Sequence, residues 1–105
     1  MEYKKIPSKY KLGGMAMEVR MVERCNDDHA GECFLCSGYM EIAEKFNRDD
    51  HQSESCKVNT FYHELVHSIL GTMGEYELNE NEKFVNCFAG FLADAMDNAY
   101  FKEEE

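Results

Sequence analysis

The sequence predicts an α+β fold: a small antiparallel β-sheet of about three strands, followed by two helices. Three observations carry this reading. Apolar residues alternate with period two before position 50, and they recur every three to four residues after it. A length of 105 residues allows one domain, spanning 1–105. A chain of this size buries roughly 65% of the surface its unfolded form exposes, enough for a modest core. At 44% hydrophobic and 12% aromatic residues, it is too apolar to stay disordered.

The elements follow in order. Met15, Met17, Val19 and Met21 alternate with Ala16, Glu18, Arg20 and Val22, the pattern of a strand with one buried face. Asn26-Asp27-Asp28 with Gly31 behind it reads as a turn. Cys33-Phe34-Leu35-Cys36 reads as a second short strand, and Ser37-Gly38 as a tight turn into a third, Tyr39 to Ala43. Together they suggest an antiparallel meander. Residues 47–55 are polar throughout and read as a loop. The first helix is expected over about 55–73, where Phe61, Leu65, Ile69 and Met73 recur every four residues with Val66 and Leu70 beside them. Gly71 and Gly74 are placed to end it. The second helix is expected to begin at Asn79 as N-cap, with Glu82 three residues on at the capping-box position, and to run to about 100. Phe84, Val85, Phe88, Phe91, Leu92, Ala95 and Met96 form its apolar face.

Charge and cysteines narrow the partners. Eleven Lys+Arg against 21 Asp+Glu leave a net charge of −10, which repels phosphate backbones and excludes nucleic acid as the expected partner. The basic cluster Lys4, Lys5, Lys9 and Lys11 is too small to reverse this, and the three glutamates at 103–105 read as a solvated tail. No apolar run approaches the ~18–20 residues of a membrane span, so no membrane partner is expected. The first residues show no apolar stretch behind their lysines and do not resemble a secretory signal. Five cysteines are an odd number and too sparse for a disulfide scaffold. The expectation is a cytoplasmic chain with reduced thiols. Cys33-x-x-Cys36 is half of a zinc-ribbon signature without its second half. On a strand, residues three apart face opposite sides. Cys25, Cys33 and Cys36 are therefore read as buried thiols, and Cys56 and Cys87 as small apolar filler. His29 and His51 are read as exposed residues rather than ligands.

The chemistry lies in His63-Glu64-Leu65-Val66-His67, an H-E-x-x-H motif on the first helix. Residues i and i+4 stand one turn apart on one face, so both imidazoles can reach one zinc ion. Glu64 is close enough to act as general base on zinc-bound water. Random shuffling of this composition yields the pattern with a probability of about 0.016. A catalytic zinc needs a third protein ligand and an open position. No third histidine follows His67 at metzincin spacing, so a carboxylate from the second helix is the remaining route. Glu82 is the best candidate, although its capping-box role competes with ligation; Glu75, Glu77 and Glu80 are weaker rivals. Tyr62 and Tyr76 are the candidates for stabilising the oxyanion.

The stretch from Phe61 to Leu70 and the stretch from Glu82 to Leu92 resemble the ImmA/IrrE-like zinc metallopeptidases. That family pairs an H-E-L-x-H helix with a second helix reading roughly E-x-x-A-N-x-F-A-x-x-L. Glu82, Asn86, Phe88, Ala89 and Leu92 match, and Val85 replaces the alanine. The resemblance covers residues 60–92. It implies a minimal zincin-like domain of gluzincin type, with one zinc on His63, His67 and Glu82 and with Glu64 as base. The expected function is zinc-dependent hydrolysis of a peptide bond in a peptide or protein substrate, a regulatory protein being one candidate. Two alternatives remain from the sequence: a non-catalytic interaction module stapled by zinc, and a regulatory partner of a phage or mobile-element repressor.

Overall fold

The computed structural model describes residues 6–47 and 49–102. Lys4, Lys5 and the tail 103–105 lie outside these described residues. The fold is α+β. Strands β1 (Lys9–Leu12), β2 (Met15–Val22), β3 (Gly31–Phe34) and β4 (Tyr39–Ala43) form one sheet, and β5 (Lys45–Phe46) pairs with β6 (Asp50–His51). Helices α1 (Glu54–Met73), α2 (Tyr76–Asn79) and α3 (Glu82–Asp97) complete the chain.

The sheet is not the expected three-stranded meander. Its order is β1-β2-β4-β3, and β2 runs parallel to β4, so it is a mixed, four-stranded sheet. Burial explains the order. Met40, Ile42 and Ala43 of β4 have no exposed surface, which suits a central strand, whereas β3 carries Gly31 and Glu32 and takes the edge. The hairpin from β3 to β4 turns through a short 3-10 segment, Leu35–Ser37, and Gly38 at φ 80°. Cys36 therefore sits in a turn and not on the strand of Cys33. The strand β1 was not expected, and part of the polar loop at 47–55 pairs as β6.

Helix α1 packs across the sheet through Phe61, which joins Met40 and Ile42 in one cluster. Val66 and Leu70 meet Val85 and Ala89 of α3 in a second. The start of α1 is capped by Ser53, whose side chain accepts from the Cys56 amide. Helix α3 is narrower in its buried contact than its composition suggested. Only Val85, Ala89 and Ala93 are buried, while Phe91 is 76% exposed and Phe88 and Met96 are also exposed. Small residues every four positions let α3 approach α1 closely, and the larger side chains are pushed to the flank.

One buried side chain ties sheet to helix. The Gln52 amide donates to Ala43 O at 2.6 Å and to Ala30 O at 3.0 Å. Its carbonyl accepts from Thr60 Oγ1 at 2.7 Å and Cys56 Sγ at 3.1 Å. A Gln52→Leu variant keeps the volume but strands these groups. It should lose about 2–4 kcal/mol of stability in urea denaturation. A loss below about 0.5 kcal/mol would mean that this clamp contributes nothing.

Candidate metal centre

His63 and His67 lie one turn apart on α1, with ring centroids 4.8 Å apart. Their Nε2 atoms approach to 3.2 Å. The Nδ1–H of His67 donates to Asn79 Oδ1 at 2.6 Å, which assigns the tautomer and leaves Nε2 with a lone pair. Burial, reinforced by the neighbouring His67, lowers the pKa of His63, so it too favours the neutral, ligating form. Two bare lone pairs this close repel each other unless a cation or a proton lies between them.

Glu82 arrives from α3. Its Oε1 lies 3.5 Å from His63 Nε2 and its Oε2 lies 3.5 Å from His67 Nε2. The expected capping box at Asn79 is not formed. Asn81 is the N-cap of α3, accepting from the Phe84 amide at 3.1 Å, and Glu82 is the first residue of the helix. A first-turn carboxylate is favoured by the helix dipole and need not fold back to cap. The competition between cap and ligand therefore resolves in favour of a free carboxylate. The ligand-type atoms of His63, His67 and Glu82 all lie within 4.8 Å of one another, and among the described residues only this group could hold a metal ion. Glu75, Glu77 and Glu80 are not part of it.

Glu64 is 8% exposed, on the same turn of α1. Burial above all pushes its carboxyl up to about 7; Glu82 and Glu32 add to the rise, while His67 and His29 oppose it. The edge strand meets this residue directly. A Cβ on Gly31 would stand 2.5 Å from Thr60 Cγ2 and 3.2 Å from Glu64 Cγ, so only glycine lets β3 come this close. An open cleft of about 1410 Å³ contains His63, Glu64, His67 and Glu82, with β3 along one wall and α3 along another.

Sequence reasoning overlooked the role of Asn79. Its spacing before Glu82 suggests a helix cap, and nothing in that spacing marks it as the partner of His67. An Asn79→Ala variant should bind metal about 10–100-fold more weakly with the fold intact, as measured by competition with a chromophoric chelator. From α3, a side-chain hydrogen bond with Asn86 partly opposes the lowering of the His63 pKa. The oxyanion candidates are not brought to the site. Tyr62 packs among the core clusters, Tyr76 is exposed on α2, and neither lines the cleft. Among the described residues no cysteine joins a group that could hold a metal ion. Burial pushes Cys25 and Cys33 up to about 11, whereas Cys36, expected to be buried, and Cys87, expected as apolar filler, are exposed.

Comparison with family models, with curated proteins and with solved structures returns no match for this chain. No helix among the described residues is long and apolar enough to cross a membrane.

Proposed function

We propose that this chain is a zinc-dependent metallopeptidase of the gluzincin type. One observation carries the reading: two imidazoles and a carboxylate converge within 4.8 Å beside a buried glutamate on the same helix, at the floor of an open cleft. A staple needs ligands only, whereas the placement of Glu64 suits a base. Two imidazoles with one carboxylate and open space beyond match the donor set of catalytic zinc. When bound, the ion supplies Lewis acidity, acidifying water and polarising a carbonyl.

The chain's own residues supply the rest. Asn79 holds His67 with its Nε2 turned to the site. The Glu64 carboxylate takes a proton from the attacking water and returns it to the leaving amine. A nearby dication favours its ionised form against the burial that raises its pKa. The open edge of β3 can align an extended peptide over Glu64 by strand addition. The resemblance to the ImmA/IrrE-like peptidases supports the same assignment, with a peptide or regulatory protein as substrate and the cytoplasm as setting.

The test compares the zinc-loaded chain with its Glu64→Gln variant on randomised quenched-fluorescence peptides, before and after chelation. Hydrolysis by the wild type alone, abolished by chelator and restored by zinc, is the expected result. Equal inertness of both, with one zinc bound to each, would replace the enzyme by a zinc-stapled interaction module.

A further inference from the structure

The apolar arc of α3 is wider than its contact with α1. Val85, Ala89 and Ala93 are its buried positions, and a second apolar line runs beside them. Phe84, Phe88, Phe91 and Ala95 follow one another at spacings of four, three and four residues, the a/d period of a helix pair. At about 100° per residue the four fall within a sector of about 60°, centred about 130° around the helix from the buried positions. Phe91 is 76% exposed and Phe88 46%, Ala95 is exposed, and the half-buried Phe84 stacks on Phe88 with ring centroids 5.6 Å apart. Apolar residues exposed singly need no explanation, but a continuous aromatic line does.

The charges of α3 indicate what covers this line. Its charged residues are Glu82, Lys83, Asp94 and Asp97, and none falls within the sector. Lys83 is in the first turn and Asp94 in the last, so each sits at the end that its own helix dipole disfavours. They are eleven residues apart, which puts them on one flank of the line, about 20° from each other, at its two ends. Asp94 Oδ1 accepts from Asn98 Nδ2 at 3.1 Å, which holds the carboxylate there. An antiparallel neighbour carrying the same two charges in reverse order answers both ends. A second α3 related by a two-fold axis is such a neighbour.

The side chains fit the same axis. Placed midway between Phe88 and Phe91, it sets each Phe88 against the other copy's Phe91. Each Phe84 then meets the other Ala95, a large residue against a small one. Lys83 comes within two residues, about 3 Å along the helix, of the level of the other copy's Asp94. Elsewhere a net charge of −10 drives copies apart, so an uncharged line is where two of them can meet.

We propose that the face of α3 formed by Phe84, Phe88, Phe91 and Ala95 is a self-association surface, on which a second copy of this chain docks antiparallel to form a two-fold dimer. The proposal is independent of the hydrolytic reading.

Sedimentation equilibrium of the full chain, with melting curves beside it, is the test. Wild type should dimerise in the micromolar range. Phe91→Glu changes a position that is 76% exposed, so it should keep Tm and weaken the dimer at least about 30-fold. Lys83→Asp and Asp94→Lys should each weaken it about tenfold, since each sets like charges together twice. Both changes suit the dipole of α3 itself, so the helix should not be weakened. The double exchange restores opposite charges and should return the dimer to within about threefold of wild type. A wild type that is monomeric at about 100 μM overturns the proposal. If that monomer adsorbs to phosphatidylcholine vesicles, the face belongs to a lipid surface instead. A dimer unmoved by Phe91→Glu lies on another face and also overturns it. Weakening by both single exchanges without recovery in the double refutes the antiparallel two-fold.

Discussion

Glu64→Gln should abolish peptide hydrolysis while zinc content and melting temperature stay close to wild type. The two side chains are nearly isosteric, and the ligating atoms of His63, His67 and Glu82 are untouched. A base acting in the transition state contributes about 10²–10⁴-fold, so the residual rate should fall by at least about 10²-fold. Burial sharpens the contrast. A carboxyl pushed up to about 7 by its surroundings is costly to ionise there, and a neutral amide avoids that cost. The metal-free variant should therefore be at least as stable as metal-free wild type in thermal denaturation. A marked loss of stability in the variant would show that Glu64 holds structure rather than protons.

Glu82→Gln should act on the metal instead. Replacing an anionic ligand by a neutral amide should weaken zinc binding by about 10²-fold or more. Without metal the substitution should cost about 1 kcal/mol or less, because Asn81 caps α3, the carboxylate is largely exposed, and an amide can still contact His63 and His67. With zinc at about 1,000 times the wild-type Kd, binding adds about 4 kcal/mol to the wild type, and a 10²-fold loss of affinity removes about 2.7 of it. Melting curves with and without zinc, alongside chelator competition, measure both terms. Normal zinc affinity in Glu82→Gln would move the third ligand elsewhere.

The helix of His63 and His67 was legible because its apolar spacing and its ligand spacing share one period. The architecture of the sheet was not. Period two reveals a strand and its buried face but says nothing of its neighbours, so the insertion of β4 beside β2 could come only from packing. Glu82 was legible in kind but not in commitment, since Asn79 and Asn81 both precede it and either could serve as cap. Which asparagine does so depends on where α2 ends, and that frees Asn79 for His67. The broad apolar arc of α3 hid its true contact stripe, because hydrophobicity alone cannot tell Val85 and Ala89 from Phe88 and Phe91. The Asn26-Asp27-Asp28 cluster marks a turn, but nothing in its spacing shows that both aspartates take the left-handed region.

The brevity of β3 has a bearing on how long anything stays bound. Ala30 and Phe34 turn their carbonyls inward, so pairing leaves the N–H and C=O groups of Gly31 and Cys33 facing outward. Four such bonds to a peptide are worth about 2–6 kcal/mol net. Association alone costs about 4–15 kcal/mol in lost freedom. A strand laid along this edge is therefore retained only while the cleft also grips it, and each fragment of a severed chain would depart quickly.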